Sequence, residues 1–258
     1  MEPNPNMPER SVWIGFDPRE AAAFAVCRHS MQRRLTQPIP VNGIVLSKLQ
    51  RNGLYTRPLK REWLKKENED GTVEWYEQLW DVISDAPMST EFAVSRFFAP
   101  FLAKSGWALF TDCDVLARVS LARLFEISER KTNYAVLVVK HDHVPDLEIK
   151  MDGQAQTRYD RKNWSSVCMW NVEHPANQAL TLEVLNTWPG RDLHAFKWLD
   201  DSQIGELDPT WNYLVGHTKT EERANLVHFT DGVPGTHRGF ADVEYADEYR
   251  EELELWAK

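Results

Sequence analysis

The chain has 258 residues, a length that suits one large α/β domain or two small ones. Its 42% hydrophobic content is ample for a packed core, which argues against disorder. Lys and Arg total 30 against 39 Asp and Glu, and a net charge of -9 argues against a general nucleic-acid binder, which needs a basic face.

The three cysteines, Cys27, Cys113 and Cys168, are odd in number and show no CxxC spacing. Neither a disulfide framework nor a zinc site is indicated, and a reducing compartment is the simpler setting. Residues 1–10 are polar and carry Pro3, Pro5 and Pro8, without the apolar stretch of a secretory signal. No run approaches the roughly 18 apolar residues of a membrane span. A cytoplasmic location is the resulting expectation. Tryptophan is abundant, at 11 residues, and each is read as packing before sugar stacking.

In chain order, residues 11–16 (SVWIGF) predict a buried strand. Asp17 and Pro18 then open a helix to about Arg34, as N-cap and first helical residue. Residues 39–46 predict a second strand. Residues 48–81 are charged and lack a clean period, which predicts a surface excursion with an exposed helical piece at 61–68. Residues 90–104 predict a helix kinked or shortened at Pro100. Residues 107–111 (WALFT) form a short, wholly apolar run, as expected of a central parallel strand. A short helix at 120–129, strands at 134–140 and 167–171, a helix at 175–187 and a charged helix at 246–258 complete the pattern. Strand and helix alternation predicts a mostly parallel central sheet flanked by helices, an α/β fold of Rossmann-like character.

Asp112-Cys113-Asp114 directly follows the WALFT strand. Ligands of open α/β sheets bind outside the carboxyl ends of strands. Two carboxylates at i and i+2 there reach one hard divalent cation through oxygen. A cation on a pyrophosphate neutralises charge on a leaving group. A bare D-x-D is common as a cap or turn, and the strand context is what favours a metal. Cys113, between the two, should point away from them and pack.

His228 precedes a Gly/Pro loop (FTDGVPG, 229–235), so it is either a third ligand or a structural turn histidine. Arg96, on the helix before the acidic strand, either pairs with phosphate or the aspartates or is a surface arginine. His141, Asp142 and His143 are a secondary cluster at a strand end. His174 and His194 have no partner in sequence.

The order of GFD (15–17), STEFxxSRFxxP (89–100), DxD (112–114), KNWSS (162–166), LHxFxWL (193–199), WN (211–212) and HFTDGxP (228–234) resembles a bacterial branch of glycosyltransferase family eight-like proteins with the GT-A fold. The resemblance spans residues 11–234.

It implies a single GT-A domain. Residues 1–10 would be a tail, 11–116 a nucleotide-binding half, 117–240 a half for the donor sugar and acceptor, and 241–258 a C-terminal helix. It implies that Gly15, Phe16 and Asp17 hold the base and ribose, and that Arg96 contacts the donor. Asp112, Asp114 and His228 would bind the metal, Mn²⁺ in preference to Mg²⁺ because of the imidazole. Trp164, Ser165 and Ser166 stand where the family carries an Asn-Ala-Gly segment near the donor sugar. Asp201 falls near the family's Asp-Gln pair, with Gln203 displaced by two residues.

The family's Lys after the histidine is missing. Its phosphate-binding role passes to backbone N–H groups around Gly232, or to His237 or Arg238. The implied reaction is sugar transfer from a nucleoside diphosphate sugar, a UDP-sugar by preference, to a hydroxyl of a glycan, lipid or small molecule, with retention. A nucleotide-sugar hydrolase, a nucleotidyltransferase and an inactive nucleotide-sugar-binding protein remain open at this level.

Overall fold

The computed structural model describes residues 9–67, 71–141, 161, 163–235 and 242–258. The apolar opening run forms β1 (Arg10–Phe16), and a 3-10 turn over Pro18–Glu20 leads into α1 (Ala21–Arg34). Asp17 caps that turn by accepting the Arg19 N–H at 2.9 Å, and Pro18 fills a first position that needs no donor. β2 (Val41–Val45) follows, then α2 (Leu46–Arg51).

Residues 59–88 depart from expectation. They form β3 (Leu59–Glu67), β4 (Val73–Asp81) and β5 (Ala86–Met88), an antiparallel sheet in place of the expected surface helix at 61–68. Lys, Glu and Arg favour helix in isolation, but cross-strand pairs outweigh that propensity here. Trp63 stands opposite Glu77 and Lys65 opposite Trp75 in register, and Arg61 bonds Glu77 across the pair. Asn68, the last residue of the expected helix, lies outside the described residues. The buried Arg57 anchors this sheet by pairing with Asp81 and donating to the carbonyls of Leu185 and Trp188 at 3.0 and 2.8 Å.

The helix expected at 90–104 is divided into α3 (Phe92–Ser95), a 3-10 turn over Arg96–Phe98, and α4 (Ala99–Ala103). Pro100 lies in the first turn of α4, where its missing N–H costs no hydrogen bond. Next come β6 (Trp107–Thr111), β7 (Val115–Ala117), α5 (Ala122–Ser128) and β8 (Val136–Val138). A 3-10 turn over Trp164–Ser166 precedes β9 (Val167–Asn171). The helix expected at 175–187 is a 3-10 segment over Pro175–Ala179 and then α6 (Leu182–Thr187), which Thr181 caps afresh. The chain closes with α7 (Gly190–His194), β10 (Ile204–Glu206), β11 (Tyr213–Leu214), β12 (Leu226–His228) and α8 (Ala246–Ala257).

The main sheet runs β10-β8-β9-β6-β1-β2. It is mostly parallel, with β9 antiparallel to both neighbours. A small sheet, β11-β12-β7, stands beside it. α1 lies between two apolar clusters. Cys27 and Met31 belong to the core of the main sheet, and Ala23 and Val26 to the cluster around the small sheet, with Leu116, Val227, Phe229 and Tyr249. α8 is fastened to α1 by Glu252, which is 1% exposed and bonds His29, Arg33 and Arg34. Among the described residues no helix is long and apolar enough to cross a membrane.

Candidate metal and donor site

β6 is buried along its whole length and ends at Thr111, so Asp112 and Asp114 emerge at its carboxyl edge. Two backbone bonds hold the segment. The Asp112 N–H donates to the Ser166 carbonyl at 2.9 Å, and the Asp114 carbonyl accepts the Phe229 N–H at 3.0 Å. β12 pairs antiparallel with β7 so that His228 lies opposite Val115, one residue from Asp114. This register brings His228 Nε2 to 3.2 Å from Asp114 Oδ1.

Asp112, Asp114 and His228 each offer one ligand atom, and the three atoms lie within 4.8 Å of one another. Two carboxylate oxygens and one imidazole nitrogen suit a divalent cation of the Mn²⁺ or Mg²⁺ kind. The donor set therefore fits the metal that the motif implies. Cys113 lies between the aspartates but turns inward, bonding Glu20 at 3.0 Å, and burial together with Glu20 pushes its thiol well above the ordinary range. It is packed, as its position in the motif predicts.

Arg96 is brought to the same place by the 3-10 turn between α3 and α4. Its guanidinium lies 2.9 Å from Asp112 Oδ1 and donates to the carbonyls of Ser165 at 3.1 Å and Ala93 at 3.2 Å. The rings of Phe92 and Phe110 lie 5.4 and 5.3 Å from it. It is a buried, fixed cation beside an acid.

Ser165 and Ser166, also buried, occupy the turn before β9. Ser165 Oγ meets His194 Nδ1 at 2.6 Å, and Ser166 Oγ donates to the Asn163 carbonyl at 2.6 Å. The Trp164 indole donates to the His141 carbonyl at 3.0 Å, with Lys140 and Arg161 over its ring.

The remaining sequence candidates stand differently. Gly15 lies in β1, one residue past the Ile14–Thr111 pair, and the space a Cβ would need is filled by Phe92 Cγ at 2.5 Å. The Phe16 ring packs edge-on against Phe24. Asp17 is buried, and its two oxygens accept from the Arg19 N–H, the Arg19 guanidinium and the Glu91 N–H. Burial would raise its carboxyl, but Arg19 and those N–H groups outweigh it and hold it low. Burial and the charge of Asp17 in turn raise Glu91.

Gly232 has φ 132°, and its N–H donates to the Phe229 carbonyl at 2.8 Å, closing the turn after His228. Asp201 is exposed and pairs with Arg161, while Gln203 caps the same turn by accepting the Asp200 N–H at 2.9 Å. Asp142, His143, His237 and Arg238 lie outside the described residues.

Arg96, Asp112, Asp114, Ser165, Ser166 and His228 thus converge. Asn212 also converges there, although the sequence marked it only as part of WN. It is wholly buried and bonds His228 Nδ1 at 2.9 Å. Its burial was not legible because a lone Asn between Trp211 and Tyr213 carries no pattern. His194, with no partner in sequence, meets the site through Ser165.

The mostly parallel sheet flanked by helices makes this an α/β protein of the GT-A fold. Solved structures agree. WbbM, a bifunctional glycosyltransferase, matches with a TM-score of 0.58 at 13% identity over 98% of this chain and 50% of that one. The glycosyltransferase GlyE of Streptococcus pneumoniae TIGR4 gives 0.56 at 12% identity over 98% of this chain and 62% of that one. The galactosyltransferase LgtC, solved with donor and acceptor sugar analogs, gives 0.55 at 13% identity over 95% of each chain. The chain spans about half of WbbM and about three fifths of GlyE.

No protein-family model matches the chain. In sequence it is 38% identical over 253 residues to Protein CDI of Arabidopsis thaliana, covering 96% of this chain and 87% of the plant protein. The chain belongs to the same family as Protein CDI.

Proposed function

We propose that the protein transfers a glycosyl group from a nucleoside diphosphate sugar, a UDP-sugar by resemblance, to an acceptor hydroxyl. The observation that carries this reading is the meeting of Asp112, Asp114 and His228 at the β6 edge, with the Arg96 guanidinium 2.9 Å from Asp112. A divalent cation, Mn²⁺ before Mg²⁺, would be held by Asp112, Asp114 and His228 and would supply charge neutralisation for the departing diphosphate.

The chain's own groups do the rest. Arg96 orients Asp112 through their 2.9 Å pair, and its rigid fork adds positive charge at the edge where phosphates would lie. Gly15, Phe16 and Asp17 close the nucleotide side, with Asp17 fixing the turn through Arg19 and Glu91. Gly232 shapes the loop behind His228. Trp164, Ser165 and Ser166 border the donor sugar. Asp201 is assigned to the reaction by resemblance; it is exposed and pairs with Arg161.

Retention, a place beside the bacterial family eight-like enzymes, a cytoplasmic setting and an acceptor among glycans, lipids or small molecules follow from the same resemblance. So does the division into a nucleotide half at 11–116 and an acceptor half at 117–240. Calorimetry of the protein against UDP and GDP, with Mn²⁺ and with EDTA, tests the reading. Metal-dependent binding of UDP is expected. Binding of neither nucleotide with any divalent metal would sink it.

A further inference from the structure

We infer that Asn212 is the positioning residue that sets which nitrogen of His228 faces the metal, and that it links the donor-side turn at 163–166 to the metal site. The inference rests on the metal reading above and goes beyond it.

The amide of Asn212 has one orientation that satisfies its neighbours. Its Nδ2 donates to the Asn163 carbonyl at 3.3 Å and to Ser166 Oγ at 2.9 Å. A backbone carbonyl only accepts, so the NH₂ end must face Asn163. The Ser166 hydroxyl donates to that same carbonyl, which leaves its lone pairs toward the amide.

With Nδ2 so committed, Asn212 Oδ1 faces His228 Nδ1 at 2.9 Å, and an amide oxygen only accepts. His228 Nδ1 must therefore carry a proton. The nitrogen left to coordinate is Nε2, the one on the Asp114 side. A carbonyl at residue 163 thus decides, through one buried amide, how a ligand at residue 228 is presented. Asn163 itself holds a left-handed φ of 63°, which aims its carbonyl back into this network.

Ser166 closes the circuit, because its carbonyl accepts the Asp112 N–H at 2.9 Å. The turn that borders the donor sugar therefore contacts one metal ligand directly and another through Asn212. Outer partners of this kind orient the ligand ring, and their loss typically lowers metal affinity about 10–100-fold.

The experiment measures Mn²⁺ affinity by calorimetry for wild type, Asn212→Ala and Asn212→Asp, without nucleotide. Asn212→Ala is expected to bind Mn²⁺ about 10–100-fold more weakly. Asn212→Asp, which keeps an acceptor for Nδ1–H, is expected to recover much of that loss. Imidazole ¹⁵N spectra of metal-free wild type, which need no variant to fold, are expected to show His228 Nδ1 protonated. A neutral Nε2–H tautomer would overturn the inference. Equal Mn²⁺ affinity in wild type and Asn212→Ala would overturn it while leaving the metal reading intact. Failure of wild type to bind Mn²⁺ would overturn both.

Discussion

His228 Nε2 stands 3.2 Å from Asp114 Oδ1 because the antiparallel register of β12 on β7 places His228 opposite Val115. Two residues far apart in sequence become neighbours through three residue pairs of a small sheet. Asp112, by contrast, is aimed by Arg96 and by its N–H bond to Ser166. The two carboxylates are thus held by different elements, and their losses should differ.

Asp114→Ala should abolish metal-dependent UDP binding while leaving the unfolding transition close to wild type. The side chain lies at a strand edge outside the apolar clusters, 13% exposed, so truncation opens no core cavity. His228→Ala should weaken Mn²⁺ less than loss of either aspartate, since two oxygen ligands remain. Calorimetry with Mn²⁺ checks the ranking, and wild-type metal dependence in His228→Ala would remove that residue from the site.

Arg96→Ala removes the cation beside Asp112 and empties a space between two phenyl rings. Breaking a largely buried pair of this type costs about 3–5 kcal/mol. A bound cation would take over the neutralisation of Asp112, so Mn²⁺ should stabilise the variant more than wild type. Urea midpoints with Mn²⁺ and with EDTA test this. Equal stabilisation of both proteins would separate Arg96 from the metal site.

Gly15→Ala should destabilise the fold by about 2 kcal/mol, since the new methyl must displace the Phe92 ring. Phe92→Leu in the same chain should return part of the loss. Thermal unfolding of the single and double variants decides. A harmless Gly15→Ala with impaired UDP binding would mean that glycine is needed for nucleotide approach instead of packing.

Glu252 should make the docking of α8 sensitive to acid. Burial alone would raise its carboxyl, but hydrogen bonds from Arg33, Arg34 and His29 and the charge of Arg34 win and bring it down to about 2 from 4.5. The folded-state value is lowered, so the stabilisation is fully present above pH about 4.5 and is lost as pH falls toward about 2. Its size is on the order of 3 kcal/mol. Glu252→Gln should lose that stability at neutral pH and show a flatter decline between those limits in urea titrations. An unchanged pH profile would show that the cluster does not bind α8 to α1.

Much of the fold was legible because strand and cap signals are local. The WALFT run became β6 with its expected bounds, and Asp17-Pro18 opened a helical segment as its chemistry required. Residues 61–67 misled because Glu, Lys and Arg carry helix propensity, whereas their strand state depends on partners in β4. The D-x-D was visible for the same local reason that β6 was. The role of Asn212 was not, because a lone Asn after a Trp has no pattern.

By itself, then, the sequence determined the α/β class and the placement of Asp112 and Asp114 at a strand edge, and it marked His228 as a candidate third ligand through the resemblance alone. The class and the strand edge depend on runs of adjacent residues whose periodicity and charge are read directly. Only the tertiary structure decided that Arg96 faces Asp112, that Asp17 is consumed by Arg19 and Glu91, and that Asn212 meets His228. Each of those contacts joins segments brought together by sheet register and burial. A buried polar group takes whichever partner packing delivers to it, and no local pattern names that partner in advance.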